Sequence, residues 1–102
     1  MLLDVRERIL LLMALPKESD IFTLRIIRDA ETSIGFSEAE INQYELGSDG
    51  QVTTWNLEKG KEQKDIEIGP VLIGIIQKTL KQKSDAQALT RDHLSLCDKF
   101  GI

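Results

Sequence analysis

The stretch Phe36-Ser37-Glu38-Ala39-Glu40-Ile41-Asn42-Gln43-Tyr44, followed by Gly47-Ser48-Asp49-Gly50 and Val52-Thr53-Thr54-Trp55, decides the fold. Ser37 with Glu40 three residues later forms a capping box, and Phe36 and Ile41 flank it as a hydrophobic staple. Together they predict a short helix over about Glu38 to Gln43. From Tyr44 the period changes. A turn cluster is followed by the β-branched and aromatic types that suit a pleated surface, which predicts a β-hairpin.

Toward the N-terminus, Asp4 and Glu7 read as a helix cap and an acid at the third helical position, opening a helix to about Ala14. Its second half, Ile9 to Ala14, is apolar on every side and needs tertiary or subunit contacts around it. Pro16 ends it by forcing Leu15 out of helical geometry. Ser19 and Asp20 offer the next cap, for a helix carrying Leu24, Ile27 and Ile34 inward and an Arg25–Asp29 pair outward, and ending before Gly35.

Toward the C-terminus, a charged loop containing Gly60 reads as mobile, and Asp65-Ile66-Glu67-Ile68 alternates as a third strand would. Gly69-Pro70 starts a fourth helix with Leu72, Ile73, Ile76 and Leu80 on one stripe. Gly74 inside it predicts a close approach by another backbone, and Lys78, Lys81 and Lys83 gather at its C-terminal end, where they complement the helix dipole. Ser84 to Ala88 reads as a linker. Thr90 caps a last helix, with Leu89 and Leu94 as a staple, ending at Phe100-Gly101. The expected fold is therefore α+β and mostly helical: about five helices around a central β-hairpin, with up to three short strands, in winged-helix-like order, and one domain over 1–102.

Composition agrees with one ordinary globular domain: 102 residues, 41% hydrophobic and 29% charged. A single cysteine, Cys97, excludes an intramolecular disulfide, and no leader-like segment opens the chain, so a cytoplasmic setting is expected. The longest apolar run, Ile9 to Leu15, is far short of the roughly 20 residues of a membrane span. A net charge of −4 and a pI near 5.0 repel nucleic acid and anionic lipid unless a local basic patch intervenes.

The residues that could carry chemistry are few. His93 and Cys97 are spaced to share a helix face, but two ligands do not make a metal site, and no other cysteine or histidine is present. Core packing of Cys97 beside a partly buried His93 is the reading preferred, with no catalytic residue, metal or cofactor expected. Gly47 and Gly50 flank a hairpin turn and lack the strand-to-helix setting and lysine of a phosphate loop.

The winged order raises DNA binding, and the charges oppose it. Between Asp29 and Glu58 there is no lysine or arginine, while seven acids occur: Asp29, Glu31, Glu38, Glu40, Glu45, Asp49 and Glu58. Basic residues collect elsewhere, at Arg25 and Arg28 of the second helix, at Lys59, Lys61 and Lys64 of the loop, and at the end of the fourth helix. With the aromatic pair Tyr44 and Trp55, a candidate site for a small anionic ligand comprises Arg25, Arg28, Tyr44, Trp55, Lys59 and Lys61. For Trp55 a core role is preferred.

With Arg6-Glu7-Arg8-Ile9-Leu10, Leu15-Pro16-Lys17-Glu18, Phe36-Ser37-Glu38-Ala39-Glu40-Ile41, Thr54-Trp55-Asn56, Ile66-Glu67-Ile68-Gly69 and His93-Leu94-Ser95-Leu96-Cys97-Asp98-Lys99-Phe100, the chain resembles a group of short bacteriophage and prophage open reading frames over nearly its whole length. These motifs are structural, so the resemblance implies an origin and no activity. The group often carries an aromatic residue at the Cys97 position, which opposes a catalytic thiol. The resemblance implies a counter-defence factor in the cytoplasm of a bacterial host, one that occupies a host protein or sequesters a small nucleotide signal.

The expectation is a non-catalytic binding protein, not an enzyme, that forms a homo-oligomer because it encodes more apolar helical surface than one protomer can cover. The alternative is a winged-helix-like nucleic-acid-binding regulator that uses the arginines of the second helix and the lysine loop.

Overall fold

The computed structural model describes residues 1–48, 50 and 52–102. Its elements are β1 (Leu2–Leu3), α1 (Val5–Ala14), α2 (Ile21–Ile34), α3 (Glu38–Tyr44), β2 (Gly47–Ser48), β3 (Thr53–Thr54), a 3₁₀ turn (Lys59–Lys61), β4 (Lys64–Asp65), α4 (Pro70–Asp85), a second 3₁₀ turn (Arg91–His93) and α5 (Leu94–Lys99). The fold is α+β and mostly helical, with five α-helices among the described residues and a hairpin at the centre of the chain. No helix among the described residues is long and apolar enough to cross a membrane.

Local chemistry starts three of the helices. Asp4 Oδ1 accepts the Glu7 N–H at 2.8 Å while Glu7 Oε1 accepts the Asp4 N–H at 3.0 Å. Ser37 and Glu40 make the same reciprocal pair at 3.2 and 3.1 Å. Each box satisfies two donors that a helix start would leave orphaned. Asp20 accepts both the N–H and the hydroxyl of Thr23, and these bonds hold its carboxyl below the ordinary range.

The core is one cluster in which Leu3, Leu11, Leu15, Ile27, Ile34, Ile66, Ile76, Leu80, Leu96 and Phe100 are buried together. Every helix except the short α3 contributes to it. Burial of about 1.5–3 kcal/mol per large side chain is what holds elements this short in place.

Strand pairing departs from the winged-helix arrangement in one respect. β2 and β3 form the expected hairpin, Gly47 opposite Thr54 and Ser48 opposite Thr53. The third strand lies one residue before the alternating run and pairs elsewhere: β4 runs antiparallel to β1, Leu2 opposite Asp65. The reason is Ile66, whose N–H donates to the Met1 carbonyl at 2.9 Å while its side chain enters the core beside Leu3. Of the turn predicted at Gly47 to Gly50, Asp49 lies outside the described residues, as does Gln51 next to it.

Three local expectations change. Gly74 lies exposed on α4, and a Cβ there would meet nothing within 4 Å, so no backbone approaches it. The loop through Gly60 is packed: Gly60 is buried, its N–H donates to the Asn56 carbonyl at 2.8 Å, and a Cβ would strike the Trp55 ring at 2.6 Å. Asp29 lies 3.9 Å from Arg28 Nε, its neighbour, so Arg28 takes the place expected for Arg25.

Candidate functional site

Arg8 is 1% exposed, although its neighbours in sequence give no hint of a partner. Its Nε donates to the Ile34 carbonyl at 2.9 Å and Nη2 donates to the Gly35 carbonyl. Nη1 and Nη2 also grip Glu40 Oε2 and Oε1, at 2.7 and 3.2 Å. The guanidinium sits 4.0 Å from the centroid of the Phe36 ring. One side chain thus occupies carbonyls that the C-terminal end of α2 leaves free, neutralises the capping acid of α3 and stacks on the residue between them.

Glu40 is 9% exposed and also receives Lys64 Nζ at 3.4 Å. The hydrogen bond from Arg8 is the main cause of a carboxyl lowered to about 2, burial opposing it and the Ser37 N–H assisting. Since Glu40 turns inward, one of the seven acids of the acidic stretch does not contribute to its surface. Glu45, another, pairs with Lys59 at 3.3 Å and with the Asn56 amide at 2.7 Å.

Above this buried pair the outer surfaces of α1 and α3 diverge into an apolar groove of about 500 Å³. Ile9, Leu12 and Met13 form the α1 wall, and Phe36 and Ile41 the α3 wall; Leu46, Gly47, Ser48 and Thr53 close the end at the hairpin. Met13 is 70% exposed and Ile41 42%. The lining includes no charged side chain. The Phe36–Ile41 staple expected from sequence is therefore part of a wall open to solvent. On α3, Glu38 falls one turn before Ile41, and Glu45 follows the helix as its left-handed C-cap.

The residues expected to hold an anionic ligand are dispersed. Trp55 and Lys61 do meet, lining a hollow of about 270 Å³ with Asp4, Arg6, Leu57, Glu58 and Gly60. Arg6 reaches over the Trp55 ring at 5.9 Å. Lys61 pairs with Glu58 at 3.2 Å and Arg6 lies 3.7 Å from Asp92, so both cations already have acidic neighbours. Lys59 is directed to Glu45. Tyr44 is buried, and burial followed by Glu62 and Glu40 pushes its phenol up, so its ring is no open stacking surface. Arg25 and Arg28 are exposed on α2 and line neither this hollow nor the groove. Trp55 is half-buried, with one edge over Gly60, between the core and ligand roles considered for it.

His93 lies in the 3₁₀ turn before α5, where its Nδ1 accepts the Thr90 N–H at 3.0 Å and contacts the Thr90 hydroxyl at the same distance. Cys97 is buried, and burial, with Asp98, pushes its thiol up. The two residues serve a turn and the core respectively. Among the described residues no group of three or more His, Cys, Asp or Glu is arranged to hold a metal ion.

Sequence reasoning missed Arg8, because its partners lie 26 to 32 residues away. It also missed Arg6 as a neighbour of Trp55. Their only signal was an arginine next to a wholly apolar run.

No protein-family model matches the chain, and neither a curated protein nor a solved structure was found similar to it.

Proposed function

We propose that the protein is a non-catalytic binding protein whose working surface is the groove between α1, α3 and the hairpin, and that its occupant is an apolar helical segment carrying positive charge. The observation behind this reading is an uncharged apolar trough of about 500 Å³, walled on one side by α1 side chains as open as Met13 and on the other by the part of the chain that has acids and no lysine or arginine. Apolar grooves of this kind accept an amphipathic helix by its i, i+3, i+4 and i+7 anchors. Acids at the rim select for cations on the incoming helix and speed its approach. The resemblance to short phage and prophage reading frames supplies the setting: a counter-defence factor in the cytoplasm of a bacterial host, acting by occupation of a protein and not by catalysis.

The test is a titration of the protein, carrying ¹³C-methyl methionine, with two designed amphipathic helices of equal apolar face, one lysine-flanked and one glutamate-flanked. Saturable movement of the Met13 methyl resonance with the cationic peptide, lost in the Ile41→Lys variant, is the expected result. Equal response to both peptides, or none to either, overturns the reading.

One observation favours a second reading, sequestration of a small nucleotide: the hollow beside Trp55, where an aromatic face lies with Arg6 and Lys61. It predicts quenching of the Trp55 fluorescence by nucleoside phosphates, weakened by Arg6→Ala. The nucleic-acid-binding alternative has less support, because the cations it would use, Arg25 and Arg28 of α2 and Lys59, Lys61 and Lys64 of the loop, lie on separate elements and four of them are ion-paired to acids within the acidic stretch.

A further inference from the structure

The groove asks for an apolar helix bearing cations, and this chain exposes one. Along α2, Ile21, Leu24, Arg25 and Arg28 recur at the first, fourth, fifth and eighth positions, which places them on one helical face. Ile21 is 68% exposed and Leu24 36%, and both arginines are open to solvent. The core side of the helix, Ile27, Ala30 and Ile34, is separate. Among the described residues Arg28 is held only by Asp29 at 3.9 Å with both side chains exposed, a weak interaction that is easily exchanged.

We infer that the groove is occupied by the outer face of α2 from a second copy of this chain, so that protomers associate head to tail. Ile21 and Leu24 fill the trough between Met13 and Ile41, and Arg25 and Arg28 come to the α3 rim, where among the described residues Glu38 is the acid without a lysine bridge and Glu45, just past the helix, the one shared with Lys59. This rests on the groove being the binding surface, as proposed above. The charges also select the geometry. Two-fold pairing of groove with groove would set Glu38 and Glu45 against their own copies, and pairing of α2 with α2 would set arginine against arginine, each a like-charge contact. Groove with α2 is the match in which opposite charges meet, and it is heterologous, so it propagates into rings or filaments until closed. A standard interface takes about 800 Å² per side, roughly an eighth of the 6772 Å² that the protomer exposes, so two such contacts fit on one molecule.

Complementation tests it. The variant Arg25→Glu/Arg28→Glu disables the ridge and Met13→Lys/Ile41→Lys disables the groove; all four positions are exposed, and circular dichroism melts establish that each variant folds. Should the groove pair fail to fold, Glu38→Lys replaces it. Sedimentation velocity is run on wild type, each variant and their equimolar mixture. Wild type is expected to associate with concentration, less at about 1 M salt than at about 0.1 M, where the Debye length grows from about 3 to about 10 Å. Each variant alone is expected to be a monomer, and the mixture to form a species of two protomers and no larger, since one ridge and one groove remain.

A wild type that stays monomeric to about 1 mM, a mixture that stays monomeric, or a dimer untouched by either variant overturns the inference. If the ridge variant still binds the cationic peptide at Met13 while wild type does not self-associate, this inference fails and the groove reading stands. Failure of the ridge variant, whose groove no second copy can fill, to bind the cationic peptide sinks both.

Discussion

Replacing Glu40 by glutamine removes one charge from a site in which little else can move. The carboxyl titrates at about 2 in the fold against 4.5 for the ordinary group. A difference of about 2.5 units at 1.36 kcal/mol each makes the ionised form worth about 3 kcal/mol to the folded state. Because the folded value is the lower one, that stabilisation is complete above about pH 4.5 and is lost as pH falls toward 2. At about pH 3 linkage leaves roughly 1.4 kcal/mol of it. Urea unfolding of wild type and Glu40→Gln, followed by far-ultraviolet circular dichroism at about pH 7, 5, 4 and 3, should show a stability gap near 3 kcal/mol that narrows by about half at the acid end. The other carboxylates titrate in both proteins and cancel in the difference. A gap of the same size at every pH would mean that shape, and not the Arg8–Glu40 charge pair, holds α1 to α3, and the reasoning would be refuted. Adding Arg8→Met to the variant should cost less than the sum of the single changes, because the second substitution removes the charge that the first had stranded.

Gly74→Ala should stabilise the protein by about 1 kcal/mol, since the helix gains a better former in open space, and raise the melting temperature by about 4–8 °C in a scanning calorimeter. Gly60→Ala should cost about 1–3 kcal/mol, because the new methyl group displaces the Trp55 indole, and the Trp55 emission should shift with it. Cys97 should alkylate more than about tenfold more slowly in the folded protein than in urea, in a timed iodoacetamide reaction at about pH 8, since burial keeps it a thiol.

The parts of this fold that were legible in the sequence are those whose physics is local. Asp4 with Glu7 and Ser37 with Glu40 are spaced by the geometry of a helix start, and each pairs as that spacing requires. The hairpin followed from a change of period. β1 was missed because two leucines before a cap carry no alternation to read, and their partner lies more than sixty residues on. The meaning of Gly74 was inverted because a helical glycine signals either a close neighbour or nothing, and only tertiary structure tells which. Half the groove was visible: the staple named Phe36 and Ile41, and the run Ile9 to Ala14 was seen to be apolar all round. What joins the halves was not, because a guanidinium 26 residues from Ile34 reads in one dimension as an ordinary surface charge.

The Arg8 guanidinium stacks beneath Phe36, itself part of the groove wall, and its other bonds fasten the end of α2 and the start of α3. The distance between the two walls is therefore set during folding, and an arriving helix meets a slot of ready-made width. Encounters should then be governed by diffusion, orientation and the charge at the rim, with observed rates rising linearly with the concentration of the incoming segment and no plateau from a slow opening step.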